Sequence, residues 1–154
     1  MTTQTVRTIV IAIFIVGAVG VADARGETSN LTAQDHVEIQ QLYARYNHAY
    51  DSGNAEAWAS TFTGDGVFRN AVGYDALVAY ARNAYKTWGA KRHWNANLLI
   101  TPSQDGAHGT CYLMIVDSKT NAIVSSSGYD DQLVKTAQGW RFKKRTVGAS
   151  PVVR

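Results

Sequence analysis

Apolar residues recur every three or four positions through the first part of the chain and every second position through the last third. From about Ala33 to Tyr50, the residues Ile39, Leu42, Tyr43, Tyr46, Ala49 and Tyr50 share one face of a helix. Thr32 and Asp35 have the spacing of a capping box, and Leu31 stands where a hydrophobic staple sits. Asp51-Ser-Gly-Asn54 stops this helix, and Asn54 caps a short second one, Ala55 to Thr63, that buries Trp58 and Phe62. Gly64-Asp-Gly66 marks a turn, and Val67 to Asn70 reads as a short strand. A third helix is predicted from Asp75 to Trp88, with Leu77, Tyr80, Ala81, Ala84, Tyr85 and Trp88 on one face. The texture then changes to strands: Arg92–Thr101, His108–Val116, Ala122–Lys135 and Trp140–Val147. Their short, turn-like separators predict successive antiparallel hairpins. Helices followed by a meander make an α+β fold, with the helices covering one face of an antiparallel sheet and a cavity where the two layers splay.

The N-terminus has its own pattern. Ile9 to Val21 is wholly apolar or Gly/Ala, preceded by the single charge Arg7 and followed by Ala22-Asp23-Ala24. A bilayer span needs about 20 apolar residues, and this run is shorter. It has the length of a signal-peptide core with an A-x-A cleavage site. The expectation is a signal peptide over 1–24, a polar disordered stretch over 25–31 and one domain over 32–150, secreted or periplasmic, with no stable membrane span. The alternative is an anchor that is kept. The formal net charge is +3. Removing residues 1–24 leaves it unchanged, since one Arg and one Asp go together. Cations are dispersed except for Lys143-Lys144-Arg145, whose faces alternate along a strand, so the sequence favours no nucleic-acid partner and reads the triplet as solvated. Cys111 is the only cysteine. It forms no internal disulfide and lies in an apolar run, as a small buried hydrophobe does.

Three groups carry candidate chemistry. Tyr46 and Tyr50 stand four apart on one helix face, next to Asp51. They supply phenols for a substrate oxygen and a carboxylate to orient a base, or else core tyrosines and a capping acid. Strict alternation puts His93, Asn95, Asn97 and Leu99 on one strand face and Trp94 on the other; such a polar face is a pocket wall or a solvent face. Ser125 to Gln132 offers either Asp130 with Gln132, or Tyr129 with Asp131 and Leu133, as a wall. No zinc cluster, phosphate loop, nucleophile elbow or dinucleotide fingerprint is present, so no metal and no cofactor are expected.

Tyr43-Ala-Arg-Tyr46, Tyr50-Asp51-Ser-Gly-Asn54, Ala57-Trp58, Phe62 to Phe68, Arg92-His93, Asn97, Gly128-Tyr-Asp130, Gly139-Trp-Arg-Phe142 and Arg145 resemble the SnoaL-like branch of the nuclear-transport-factor-2-like superfamily. The resemblance covers nearly all of residues 32–147. It implies a cystatin-like α+β roll, in which three helices close a curved antiparallel sheet around a cone-shaped pocket. Homodimers are common for the fold. The family holds dehydratases, isomerases, hydrolases, cyclases and non-catalytic binding modules. Tyr50-Asp51 and His93 are similar to positions of scytalone dehydratase, and Tyr46, Asp51 and His93 to those of bile-acid dehydratase. Asn70 stands where ketosteroid isomerase has its base, and Ile115 where the bile-acid dehydratase has a further acid. The resemblance implies Tyr46, Tyr50, Asp51 and His93 as catalytic residues, and Asn97, Asp130, Trp58, Phe68 and Trp94 as pocket walls. The expected activity is cofactor-independent acid/base dehydration or isomerisation of a small cyclic or polyketide-like apolar molecule. The alternative is a small-ligand or protein-binding module of the same fold.

Overall fold

In the computed structural model, residues 30–148 are described. The expected export segment 1–24, its cleavage near Ala24 and most of the stretch 25–31 lie outside the described residues. The element order is α1 (Ala33–Asp51), α2 (Ala55–Ala59), β1 (Phe62–Phe68), β2 (Ala71–Val72), α3 (Tyr74–Trp88), β3 (Lys91–Ser103), β4 (Gly106–Asp117), β5 (Ile123–Thr136) and β6 (Gly139–Gly148). The strands form one sheet in the order β2-β1-β6-β5-β4-β3. No helix among the described residues is long and apolar enough to cross a membrane.

Local signals set the helix ends. Thr32 and Asp35 form the capping box, each side chain accepting from the other's backbone N–H. Leu31 packs against the core beside it. Asn54 caps α2, accepting from the Ala57 N–H at 3.0 Å. Asp35 also ties α1 to the sheet, because one carboxylate oxygen accepts from Lys135 Nζ at 2.7 Å and from Trp140 Nε1 at 2.9 Å.

Strands β3 to β6 are consecutive antiparallel hairpins, as their short separators predict. β1 departs from the expectation. It pairs parallel with β6, Phe62 opposite Phe142 and Phe68 opposite Arg145, so the sheet is mixed rather than wholly antiparallel. The same pairing shortens the second helix. Phe142 N–H donates to the Thr61 carbonyl at 3.0 Å, so Phe62 enters a strand instead of a helical turn. Local periodicity carries no information about a partner so distant in the chain.

The curvature comes from irregular register. Shifts interrupt the β1/β6, β3/β4, β4/β5 and β5/β6 pairings. Each such bulge bends and twists its strand. In β1 the irregularity needs Gly66, where a Cβ would lie 2.6 Å from that of Phe62. In β3 it falls between Ala96 and Leu99, where Asn97 adopts φ 55°. Strict alternation therefore fails after Asn95. His93 and Asn95 face inward, and so do Leu98 and Ile100, whereas Asn97 and Leu99 are exposed.

The concave face packs an aromatic core. The Tyr46 ring meets Trp58, Phe62, Tyr129 and Phe142 at centroid distances of 5.4 to 6.0 Å. Within this core lies an ion pair that the sequence does not suggest. Arg145 is 1% exposed and Asp131 0%. Arg145 Nε donates to Asp131 Oδ1 at 2.8 Å and Nη2 to Oδ2 at 2.6 Å. The Tyr43 hydroxyl donates to the same carboxylate from α1. It reaches Asp131 past Gly109, where any Cβ would collide with the phenol oxygen. The guanidinium is stacked among Tyr129, Phe142, Tyr46 and Tyr43 at 3.9 to 4.6 Å from their ring centres. The reading of Lys143-Lys144-Arg145 as a solvated triplet is thus corrected: Lys143 pairs with Asp65 at the surface, but Arg145 faces the core.

Removing one partner of a buried pair strands the other charge and costs about 3–5 kcal/mol. Arg145→Met should destabilise the domain by about that amount in urea unfolding, and adding Asp131→Leu with Tyr43→Phe should recover part of the loss. At the other end of the core, the hydrogen bond from Lys135, then those from Thr32 and Trp140, hold the Asp35 carboxyl well below the usual carboxylate range. A carboxylate whose pKa falls on folding stabilises the native state above the unfolded value of about 4, and this stability is lost as pH falls towards the folded value. Urea midpoints should therefore drop below about pH 4. Asp35→Asn should be less stable at pH 7 and show a shallower acid dependence; an unchanged slope would contradict the assignment.

Candidate active site

The last turn of α1 and the first half of β3 build the site together. Asp51, the final residue of α1, accepts twice from His93: from its backbone N–H at 2.9 Å and from ring Nδ1 at 2.5 Å. One carboxylate thus fixes both the strand position and the ring plane. Asn47, one turn earlier, donates to the His93 carbonyl at 3.1 Å and to the Asn95 side chain. Asn95 in turn donates to Cys111 Sγ on β4 at 3.2 Å. With Nδ1–H given to Asp51, the lone pair of the neutral imidazole is on Nε2. No described residue is hydrogen-bonded to that nitrogen.

His93 and Asp51 open onto a cavity of about 200 Å³ between the sheet and α3. Pockets for drug-sized ligands run to about 300–1,000 Å³, so this smaller one suits a compact molecule of one or two rings. Tyr46, Tyr50, Phe68, Tyr80 and Tyr129 supply aromatic walls, and Leu113, Ile115 and Val147 an aliphatic one. Arg69, Asn83, Thr87 and Lys91 are polar members of the lining. The Tyr50 ring stands edge-on to His93 with centroids 5.2 Å apart. Burial above all, and then the neighbouring Tyr46 and Tyr80, push the Tyr50 pKa well above the ordinary phenol value. Burial raises Tyr46 and Tyr129 likewise. These phenols remain protonated, and each hydroxyl keeps a proton to donate.

The residues expected from the sequence therefore divide. Tyr46, Tyr50, Asp51, His93 and Phe68 come together around one cavity. Among them Tyr46 is fully buried, and its hydroxyl has no hydrogen-bond partner among the described residues. Trp58 lies behind the wall, 0% exposed, packed on Tyr46, Tyr50 and Tyr80 rather than in the lining. Three more of the expected residues lie away from this cavity. Trp94 is 56% exposed on the outer sheet face, the opposite side of β3 from His93. Asn97 is turned outward by the β3 bulge. Asp130 is exposed and meets His108 Nε2 at 3.1 Å, away from the cavity. Its strand turns the other set inward, Tyr129, Asp131 and Leu133, and the apolar Leu133 was the sequence signal for that choice. Arg69, Asn83 and Lys91 come from a turn, the second half of α3 and the start of β3, and no spacing in the sequence groups them. Among the described residues no three His, Cys, Asp or Glu side chains converge as metal ligands.

A family model described as the SnoaL-like domain matches residues 31–146. The chain belongs to the SnoaL-like domain family. Solved structures agree with this SnoaL-like assignment. A variant of the function-unknown protein Rv3472 from Mycobacterium tuberculosis is 29% identical, with 78% of this chain and 74% of that one covered and a TM-score of 0.69. A protein of unknown function with a cystatin-like fold from Nostoc punctiforme is also 29% identical, covering 79% and 96%, with a TM-score of 0.72. A structure from Catenulispora acidiphila in complex with S-DNPA is 29% identical over 75% and 93%, with a TM-score of 0.68. No curated protein sequence matches this SnoaL-like chain.

The same geometry makes Cys111 a poor nucleophile. Burial pushes its thiol up to about 11. Native protein at pH 8 should resist a disulfide-exchange thiol reagent, and the thiol should react at once in denaturant; rapid native labelling would contradict the burial.

Proposed function

We propose that the cavity performs cofactor-independent acid–base chemistry on a compact cyclic carbonyl compound, as a dehydration or a related isomerisation. The observation that carries this reading is the double grip of Asp51 on His93, which leaves Nε2 as a base at the cavity wall beside a protonated Tyr50.

In a β-hydroxy ketone, Nε2 takes the proton from the carbon next to the carbonyl. The electron pair moves into an enolate whose oxygen accepts the Tyr50 hydroxyl proton in a hydrogen bond. Asp51 stabilises the imidazolium so formed and holds its plane. Collapse of the enolate forms the C=C bond and expels the hydroxyl group, which takes the proton back from Nε2 and leaves as water. His93 ends neutral, and no net charge remains. Returning the proton to a different carbon would give an isomerisation with the same groups. The Tyr50 pKa, raised mainly by burial, suits a donor that never ionises.

A second reading keeps the cavity for binding without turnover. It draws on the similar structure from Catenulispora acidiphila, which holds S-DNPA as a ligand. For the chain as a whole we propose export, on the apolar run Ile9 to Val21 and the Ala22-Asp23-Ala24 site.

Deuterium incorporation from heavy water into 2-tetralone, followed by proton NMR, tests the base without knowledge of the natural substrate. Wild type should exchange the protons beside the carbonyl, and His93→Ala and Asp51→Asn should be slower by about 10²–10⁴-fold. Equal exchange by all three proteins would remove His93 from the chemistry. Binding of 2-tetralone by all three without exchange would favour the binding module.

A further inference from the structure

Arg69 and Asn70 form the two-residue connection between β1 and β2, with Phe68 paired to Ala71 across it. Arg69 sits there at φ 54°. The other non-glycine residues with positive φ among those described are asparagines, Asn97 and Asn121, which tolerate this conformation. Hairpin connections of this length favour glycine or asparagine where φ is positive. A long cationic side chain therefore occupies a position whose backbone suits glycine. Strain of this kind clusters at ligand sites, where a side chain is needed for what it touches.

Arg69 lines the cavity, with its guanidinium carbon 5.9 Å from the centre of the Phe68 ring, another lining residue. It has no ion-pair partner among the described residues. The other cation in the lining, Lys91, is held by Asp117 at 3.0 Å and by the Trp88 carbonyl. Among the described residues the carboxylate in the lining is Asp51, and both its oxygens accept from His93. Among the described residues, Arg69 is thus the cation of this lining that no carboxylate contacts. Its charge reaches the catalytic side: Arg69 opposes the upward push on the Tyr50 phenol that burial, Tyr46 and Tyr80 exert.

We propose that Arg69 makes this cavity selective for anionic ligands, pairing with the carboxylate of a one- or two-ring compound while the rings lie between Phe68, Tyr50 and His93. The guanidinium fork matches a carboxylate with two parallel hydrogen bonds, so it fixes the ligand's orientation as well as its charge. This inference rests on the cavity being a ligand site, and is independent of whether His93 turns the ligand over.

The probes are 2-naphthoate and its neutral amide, 2-naphthamide, titrated against the protein by calorimetry. Wild type should bind the naphthoate about tenfold more tightly than the amide. Arg69→Gly should remove that preference by weakening naphthoate alone, with a urea midpoint no lower than wild type, because glycine suits the turn. Arg69→Lys should keep part of the preference. Ala84→Trp, which fills the cavity, should abolish binding of both probes. If Arg69→Gly binds naphthoate as wild type does, the role of Arg69 is overturned and the cavity reading stands. If wild type binds neither probe, or Ala84→Trp still binds both, the cavity reading fails and this inference with it.

Discussion

The buried pair between Arg145 and Asp131 is the constraint around which the domain is arranged. Two charges removed from water must satisfy each other, and here they do so through two parallel hydrogen bonds on neighbouring strands. Tyr43 brings α1 onto the same carboxylate, and Gly109 leaves room for its hydroxyl to arrive. The rings of Tyr43, Tyr46, Tyr129 and Phe142 close around the guanidinium. The helix is thereby set against the concave sheet at one height and one rotation, as an apolar contact alone would not require. Tyr46 and Tyr129, which touch this guanidinium, are also walls of the cavity. The site therefore rests directly on the pair.

From that fixed point α1 runs on by two turns to Asp51, where it meets the edge strand β3. The contact there is polar along its length. Asn47 holds the His93 carbonyl and the Asn95 side chain, and Asp51 holds the His93 backbone and ring. A base oriented from two directions by one carboxylate loses little more freedom when a ligand arrives, and such preorganisation is what proton transfer needs. Deep burial keeps the tyrosines of the cavity neutral. Asp51 is half-buried at the end of α1, with a donor on each oxygen.

The cavity combines aromatic walls with an oriented imidazole, neutral phenols and a guanidinium that has no ion-pair partner among the described residues. The family hosts many activities, so the function follows from this local chemistry rather than from the roll itself. Its modest volume suits compact molecules, and its polar lining joins the His93 imidazole and the Tyr50 phenol to the Arg69 guanidinium.

Sequence alone determined the parts of this protein that depend on near neighbours. The capping box at Thr32 and Asp35, the stripe from Ile39 to Tyr46, the stop at Asp51 and the three long hairpins are written in spacings of two to four residues. The SnoaL-like resemblance added the pairing of His93 with Asp51 across the chain. Tertiary structure decided what depends on remote partners. The parallel seat of β1 on β6 took Phe62 out of a helix. A bulge turned Asn97 outward and broke the alternation that had joined it to His93. The choice of inner face on β5 put Asp131 in the core and Asp130 in solvent. Arg145, in a row of cations, gave no local sign of burial, because only Asp131 and the surrounding rings make its burial favourable. Periodicity records which residues lie on the same face of an element; which face is inside is fixed by what the folded chain places against it.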